Sequence, residues 1–166
     1  MTSYLLDTNH VSKVLDGDPT IRQQLVAAQQ RGDTVEISTT VLGELYFAAH
    51  SSEQKERNLQ RIEQLVGQVN LWLFDGRAAE EFGRVRAELR QKGRPIPPMD
   101  AQIAAVARML GLTVATADHH FAFVDGLSVE NWLEIDTKWP WHFTVNPSST
   151  FASWTTMGGA HSWWMA

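Results

Sequence analysis

A short apolar run, Tyr4-Leu5-Leu6, leads directly into Asp7-Thr8-Asn9 near the start of the chain. The run is typical of a buried β-strand, and Asp7 stands where that strand would end and a helix would begin. A carboxylate in this position can cap the helix. It can also belong to a functional site, because ligands bind at the carboxyl ends of the strands in open parallel sheets.

Three further acids stand at comparable junctions of predicted strands and helices, namely Glu44, Asp100 and Asp118. Glu44 lies one turn into a helix, Asp100 begins one, and Asp118 follows a strand at 112–116. Strands that alternate with helices predict an α/β fold with a mainly parallel sheet, whose strand ends share one edge. We therefore expect the three acids and Asp7 to converge, and converging carboxylates need a cation.

The other predicted elements follow from hydrophobic periodicity and from capping residues. Ser52 is expected to cap one helix, and Asp75 is expected to cap a longer helix that ends near Gly93. Short apolar runs predict further strands at 69–74 and 127–132. This order of elements fits one α/β domain.

The composition excludes several classes of site. The 166-residue chain contains no cysteine, so disulfides, zinc–thiolate sites and thiol nucleophiles are excluded. No apolar run approaches the roughly 20 residues that span a bilayer, and the first residues lack the pattern of a signal peptide. We therefore predict a cytoplasmic protein with no membrane contact.

Charge is unevenly distributed along the chain. The net charge of −5 by itself argues against a nucleic-acid partner. One segment nevertheless carries five basic residues and a single acid, and its basic residues are Arg84, Arg86, Arg90, Lys92 and Arg94. A basic block beside an acidic metal site would suit RNA. A solvated helix face explains the same residues, and charge alone favours that explanation.

Each acid also has a structural explanation. Asp7 and Asp118 would cap the segments that follow them, and Asp100 would be stabilised by the dipole of its helix. Asp100, however, shares one helix stripe with Ile103 and Ala104, so it points towards the core and needs a metal ion or an arginine as partner. Any one of these explanations competes with function, but the four acids together favour a site.

Four segments, in order, resemble the signature segments of PIN-domain ribonucleases, and the match is closest to VapC-type toxins of bacterial type II toxin–antitoxin pairs. The segments are Tyr4 to Asn9, Thr40 to Leu45, Gly93 to Asp100 with Ile103-Ala104-Ala105, and Thr116 to Phe121. The resemblance runs through residues 3 to about 135, and all four acidic positions are filled. It implies a three-layer α/β/α sandwich with the acids at the carboxyl edge of its strands.

The resemblance also implies a metal-dependent endoribonuclease that cuts RNA, is held inactive by a VapB-type antitoxin, and forms a homodimer. Oxygen ligands without thiols favour Mg²⁺ or Mn²⁺ over zinc. All four acids are predicted to be catalytic and to bind metal, and Thr8, Asn9 and Thr116 are predicted to hydrogen-bond to them or to metal-bound water. Without metal, clustered carboxylates repel one another, so at least one should have a raised pKa.

Two other functions remain open at this point. Asp7-Thr8-Asn9 superficially resembles the nucleophile loop of haloacid-dehalogenase-type phosphatases, but Asn9 stands where that loop carries a second aspartate. The chain could instead be a non-catalytic RNA- or protein-binding module on the same scaffold. Normal RNA affinity together with a normal effect after Asp7→Asn would favour the module, because a nuclease should lose cleavage.

Four other polar residues are weaker candidates for the site. His119-His120 is read as a turn beside Phe121 rather than as a base or a metal ligand. His10 would either approach the Asp7 site or lie at the surface as a capping residue. Asp125 is interpreted as a turn residue before a glycine.

The last 29 residues differ in composition from the rest of the chain. Positions 138–166 hold one formal charge and five of the seven tryptophans. We therefore predict a PIN-like catalytic domain at 1–136 and a Trp-rich extension at 137–166, outside the catalytic fold. The extension could instead cover an apolar groove or promote self-association.

Overall fold

The computed structural model describes residues 1–133, which contain a five-stranded parallel sheet. The strands are β1 (Ser3–Leu6), β2 (Thr34–Ser38), β3 (Asn70–Trp72), β4 (Thr113–Ala115) and β5 (Ser128–Glu130). Their order across the sheet is β3-β2-β1-β4-β5, and every neighbouring pair is parallel. The predicted α/β fold with a parallel sheet is confirmed.

Helices connect the strands on both faces of the sheet. They are α1 (Thr8–Asp16), α2 (Pro19–Gln30), α3 (Thr39–His50), α4 (Lys55–Val66), α5 (Gly76–Gln91), α6 (Pro98–Leu110) and a 3₁₀-helix (His119–Phe123). The crossovers from β1 to β2 and from β3 to β4 run in opposite directions across the sheet. Because parallel crossovers are right-handed, their helices lie on opposite faces. The result is the predicted three-layer α/β/α sandwich.

The strand order reverses at β1, which has β2 on one side and β4 on the other. Leu5 of β1 pairs with Glu36 of β2 and with Val114 of β4. Such a reversal is the point where open parallel sheets bind ligands, outside the carboxyl ends of the strands. Asp7 directly follows β1 and Asp118 follows β4, so two of the predicted acids flank this point.

The core fixes the positions of these strand ends. Leu5 and Ile37 in the middle strands are fully buried. In α6 every side chain from Ile103 to Ala107 is also fully buried. Burying one large aliphatic side chain contributes about 1.5–3 kcal/mol, and the small alanines of α6 allow close packing against its neighbours. The first turn of α6, which carries Asp100, is therefore held firmly next to the sheet.

The capping predictions are confirmed in one case and wrong in the other. Asp75 accepts hydrogen bonds from the backbone N–H groups of Arg77 and Ala78, both at 3.0 Å, and so caps α5 as predicted. Ser52 does not cap α4. Its hydroxyl accepts a hydrogen bond from the backbone N–H of Gln54 at 3.1 Å, in the turn before the helix.

Three strands are shorter than predicted, and β4 lacks one residue at each end of the predicted segment 112–116. β3 occupies only part of the predicted 69–74 segment, because the backbone N–H of Phe74 donates to the Thr39 hydroxyl at 3.0 Å instead of to a strand. β5 likewise occupies only part of 127–132, and Trp132 leaves the sheet to be buried in the core. The apolar run at β5 therefore extends beyond the ladder because tertiary contacts bury Trp132.

Two further predictions concern the C-terminal extension and contact with a membrane. The predicted extension at 137–166, and its boundary with the 1–136 domain, lie outside the described residues. Within the described part of the chain, the helices are all too short or too polar to cross a membrane.

Candidate metal centre

Asp7 is held by hydrogen bonds on both oxygens of its carboxylate. Its side chain is almost fully buried at the end of β1. Oδ1 accepts a hydrogen bond from the backbone N–H of Thr8 at 2.6 Å, and Oδ2 accepts one from the Thr116 hydroxyl at 2.8 Å. Asp7 also donates its own backbone N–H to the carbonyl of Ala115 at 3.1 Å. Asp7 therefore caps α1, and its carboxylate is fixed in one orientation.

Thr116 connects two of the acids through a single hydroxyl. Its Oγ1 donates to Asp7 Oδ2 and accepts a hydrogen bond from the backbone N–H of Asp118 at 2.9 Å. Thr116 is 1% exposed, so water does not compete for these contacts. The hydrogen bond predicted for Thr116 is present, and it sets the spacing between β1 and the segment that follows β4.

Glu44 reaches the same region from α3. Ser38, the last residue of β2, caps α3 by accepting a hydrogen bond from the backbone N–H of Val41 at 3.3 Å. The Thr8 hydroxyl then donates to Glu44 Oε2. Thr8 contacts Asp7 through its backbone and Glu44 through its side chain, so the supporting contact predicted for Thr8 is also present.

Asp100 enters from the start of α6. Two prolines open this helix, with Pro97 as the residue before it and Pro98 as its first residue. Asp100 is half-buried in the first turn. The Thr40 hydroxyl of α3 donates to Gln102 Oε1 of α6 at 3.1 Å and so holds the two helix starts together.

Asp118 brings a histidine into the cluster. Asp118 caps the 3₁₀-helix by accepting a hydrogen bond from the backbone N–H of His120 at 2.8 Å. His120 Nδ1 lies 2.9 Å from Asp118 Oδ1. Asp100, Asp118 and His120 each offer one ligand atom, and these atoms all lie within 4.8 Å of one another. His120 is therefore a candidate ligand, which the sequence interpretation as a turn residue missed.

Burial and the negative charges of the centre raise the pKa of Asp7. Burial is the largest cause, and the charges of Glu44 and Asp118 add to it. The hydrogen bonds from Thr116 and Thr8 lower the pKa of Asp7 but do not cancel the increase. Asp7 is thus a buried acid that faces other acids.

Asp100 shows the same effect more strongly. Its pKa is raised to about 6, first by burial and then by the charges of Asp7, Asp118 and Glu44, whereas His120 lowers it. Acids from four separate segments of the chain therefore act on one another, as the sequence predicted. The raised pKa expected for at least one carboxylate is also present.

A divalent cation fits this donor set. The ligand atoms are carboxylate oxygens and one imidazole nitrogen, and the chain has no thiol to offer. Carboxylates suit hard cations such as Mg²⁺ and Mn²⁺, and imidazole is an ordinary metal ligand. Positive charge at this position would remove the repulsion that raises the pKa of Asp100.

Comparison with known proteins identifies the family, since the chain matches the PIN domain over residues 4–127. The chain belongs to the PIN-domain family. The tRNA(fMet)-specific endonuclease VapC of Shigella flexneri is 36% identical over 134 residues, which are 80% of this chain and 99% of that protein. Ribonuclease VapC2 of Haemophilus influenzae is 34% identical over 134 residues, 80% of this chain and 100% of that protein.

Solved structures of PIN-domain proteins agree with this result. The VapBC2 complex of Rickettsia felis, bound to a DNA fragment from its promoter, gives a TM-score of 0.73 at 27% identity and covers 79% of this chain and 99% of that one. DNA-bound VapBC of Salmonella typhimurium gives 0.71 at 33% identity, with coverage of 80% and 99%. The predicted resemblance to VapC-type toxins is confirmed, and the chain is a ribonuclease homologue of that type.

The basic block of this PIN domain is partly neutralised by nearby acids. Arg84 forms ion pairs with Glu80 and Glu81, four and three positions before it in the chain. Lys92 pairs with Asp125 at 2.5 Å. Asp125 thus belongs to a salt bridge and not to the acid cluster, in line with its interpretation as a turn residue.

Two arginines of the block lie over aromatic rings instead. Arg86 Cζ is 5.5 Å from the ring centroid of Phe82 within α5. Arg94 Cζ is 5.0 Å from the centroid of Phe123, which belongs to the same 3₁₀-helix as His120. Of these two arginines, Arg94 is the one connected to the metal centre through the 3₁₀-helix.

Three predicted positions stay apart from the centre. Asn9 is exposed, and within residues 1–133 its side chain makes no hydrogen bond to the acids. Arg90 is exposed on α5 and forms no ion pair within the described part of the chain. His10 is fully buried, and its Nε2 accepts a hydrogen bond from the backbone N–H of Trp132 at 3.2 Å. Burial lowers the pKa of His10 to about 4, so the ring is a neutral core residue rather than a surface or capping residue.

Proposed function

We propose that this PIN-domain protein is a metal-dependent endoribonuclease and the toxin of a toxin–antitoxin pair. The observation that carries the proposal is the convergence of acids from four segments at the switch point of the sheet, where burial and neighbouring carboxylates raise the pKa of Asp7 and of Asp100. Relatives named as ribonucleases support RNA as the substrate.

The cation we propose is Mg²⁺ or Mn²⁺, and its ligands would be Asp7, Asp100 and Asp118, joined by His120. When bound, the cation lowers the pKa of a coordinated water and offsets the charge of the scissile phosphate. Asp100 must be ionised to act as a ligand. Because its pKa is about 6 without metal, ion binding and proton release should be linked near neutral pH.

The residues of the chain divide the remaining work of hydrolysis. One carboxylate oxygen of Glu44 accepts a hydrogen bond from Thr8. We assign the other oxygen of Glu44 either to orienting the attacking water or to binding the metal. Thr116 prevents the Asp7 carboxylate from rotating. Water adds to phosphorus and the bond from phosphorus to O3′ breaks, which leaves a 5′-phosphate on one fragment and a 3′-hydroxyl on the other.

A VapB-type antitoxin is the proposed regulatory partner, with its tail in the groove near the acids. The solved relatives are VapBC complexes, which supports a partner of this kind. Phe47 on α3 is 76% exposed and Leu73 after β3 is 62% exposed, and exposed apolar side chains of this size suit a protein interface. A homodimer through residues 42–65 and a cytoplasmic location belong to the same proposal.

The proposed function is tested by cleavage of total cellular RNA with purified protein free of antitoxin. Reactions would contain Mg²⁺, Mn²⁺ or EDTA. The wild type should make metal-dependent cuts with 5′-phosphate ends, and Asp7→Asn/Asp100→Asn should make none. Asp16→Asn is the matched control, because Asp16 is exposed at the opposite end of α1 from Asp7.

Other outcomes would favour the other functions. Folded wild type that binds RNA but cuts nothing in either metal would favour a non-catalytic binding module. A covalent phosphate on Asp7 would favour the phosphatase. Cleavage that survives in the double variant would show a contaminating nuclease or a different site.

A further inference from the structure

A cluster of rings leads outward from the metal centre. His120 contacts Asp118, and the His119 ring lies 4.4 Å from the His120 ring between centroids, at an interplanar angle of 35°. The Phe123 ring meets both histidines edge-on, at 5.8 Å and 6.1 Å. Arg94 Cζ lies 5.0 Å from the Phe123 centroid. We call His119, Phe123 and Arg94 the ring cluster.

The ring cluster is open to solvent and positively charged. The side chain of His119 is 77% exposed, and Arg94 is exposed as well. Arg94 forms no ion pair with any residue in 1–133, in contrast to Arg84 and Lys92, which are paired with acids. An uncompensated cation is therefore connected to the acidic centre through Phe123 and the two histidines.

RNA needs such a neighbour to reach this centre. The protein carries a net charge of −5, and the acids of the centre repel phosphate. Proteins that bind single-stranded RNA combine arginines on the phosphates with rings on which the bases stack. The His119 ring lies against His120 at a tilt of 35°, and a base could stack on the other face of this exposed ring.

We propose that the ring cluster binds the nucleotide next to the scissile phosphate of single-stranded RNA. The base of this nucleotide stacks on His119, and its phosphate is bound by Arg94. Phe123 is a positioning residue, because its cation–π contact holds Arg94 and its edge supports both histidines. The inference rests on the proposed ribonuclease function and adds a binding site to it.

The contribution of Arg94 is tested by fluorescence anisotropy with a short labelled single-stranded RNA. The full chain would carry Asp7→Asn so that the RNA stays intact. Arg94→Gln should weaken binding several-fold at moderate salt and reduce the slope of log Kd against log salt by about 0.7, the value for one phosphate contact on a single strand. Arg94→Lys should keep the slope, because it keeps the charge.

Arg31→Gln is the matched control for Arg94. Arg31 precedes β2 at the amino edge of the sheet, opposite the acids, and its partner is Asp33 at 2.8 Å. Arg31→Gln removes the same charge as Arg94→Gln, and it should leave the RNA affinity and the slope of log Kd against log salt unchanged. Equal losses in Arg31→Gln and Arg94→Gln would overturn the inference, because they would show an effect of net charge alone.

The contribution of His119 is separated from metal binding by a second pair of variants. His119→Ala should weaken RNA binding about fivefold or more, the lower range for loss of one base stack. His119→Phe should restore binding, because a phenyl ring stacks equally well. In protein that keeps Asp7, each of the two substitutions should leave Mn²⁺ binding in calorimetry equal to that of the wild type. Loss of RNA binding in His119→Phe equal to that in His119→Ala would overturn the stacking role.

Failure of this inference is distinguishable from failure of the proposed function. In one outcome, the protein binds RNA through Arg94 and His119 and yet cuts no RNA. That result would overturn the proposed ribonuclease function but support the RNA-binding role of the ring cluster. A protein that cuts RNA while Arg94→Gln and His119→Ala bind it normally would overturn the ring cluster alone. Thermal melting of each variant would establish that it is folded.

Discussion

The two ends of α6 lie beside acids in opposite electrostatic situations. At the last turn, Arg108 forms ion pairs with Glu81 and Glu88 of α5, each at 2.6 Å. At the first turn, Asp100 faces other acids, and within residues 1–133 it has no arginine or lysine partner. The acids beside the last turn are therefore neutralised by Arg108, whereas the acids around the first turn lack such a cation within the part of the chain that the structure describes.

The pKa values express this difference. The Arg108 hydrogen bond lowers the pKa of Glu88, whereas burial and neighbouring carboxylates raise the pKa of Asp100 to about 6. Acids that have their own arginine stabilise the packing of α5 on α6. Acids that lack one reduce stability unless a ligand supplies the charge, which is typical of a functional site. Three changes would break or sharpen this comparison.

The largest effect is expected at the first-turn cluster from Thr116→Val. The change removes the hydrogen bond to Asp7 Oδ2 and the acceptor for the Asp118 backbone N–H while it keeps the shape of the side chain. Loss of an outer partner of this kind costs about 10–100-fold in metal affinity or activity. Mn²⁺ calorimetry and RNA cleavage would measure it. Thr116→Ser should recover most of the loss, and a Thr116→Val protein with unchanged Mn²⁺ affinity would contradict the role.

A smaller effect, on stability alone, is expected at the last-turn cluster from Arg108→Gln. The Arg108 and Glu81 side chains are each 15% exposed, so breaking their contact should lower the free energy of unfolding by about 1–3 kcal/mol after allowance for solvent screening. Denaturant titration would measure this. Arg84→Gln, which breaks exposed pairs, should cost less than about 0.5 kcal/mol. Loss of Mn²⁺ binding by Arg108→Gln would contradict the claim that only the first-turn acids form the metal centre.

The smallest effect is expected in the pH dependence of the stability of the metal-free protein. Asp100 has a folded pKa of about 6 against 3.8 for the ordinary value, so between these limits the folded state binds more protons than the unfolded state. Its stabilising contribution is complete below about pH 4 and is lost as pH rises through about 6. Relative to Asp100→Asn, the wild type should therefore lose on the order of 1 kcal/mol of stability over that range, with screening included. Saturating Mg²⁺ should abolish the difference.

NMR titration of the Asp100 carboxyl provides a direct check of that pH dependence. Its midpoint should lie near 6 in metal-free wild type and should move down in Asp7→Asn, because the charge of Asp7 contributes to the shift. An ordinary carboxyl midpoint for Asp100 would mean that the acids do not converge in solution.

Much of the fold and of the acid cluster was predictable because both depend on local sequence patterns. Apolar runs define β1 and β4, and the acids Asp7 and Asp118 directly follow those strands. Once the sheet is parallel, its topology brings the strand ends together without further information. The same local rules gave Asp75 as a helix cap.

The remaining features depend on contacts between distant segments. His120 joins the acids only because the 3₁₀-helix turns its ring back onto Asp118. The basic block looked unpaired because the partner of Lys92, Asp125, lies beyond α6 and β4 in the chain. His10 reads as polar, yet its burial depends on where Trp132 returns at the end of β5. None of these contacts has a periodic signal in the sequence.

The convergence of acids is tested most directly by calorimetric titration of Mn²⁺ into the wild type, Asp100→Asn and Arg108→Gln. We predict saturable binding with proton release by the wild type and by Arg108→Gln, and loss of binding by Asp100→Asn. Absence of binding by the folded wild type, or equal binding by all three proteins, would contradict a metal centre at the first turn of α6.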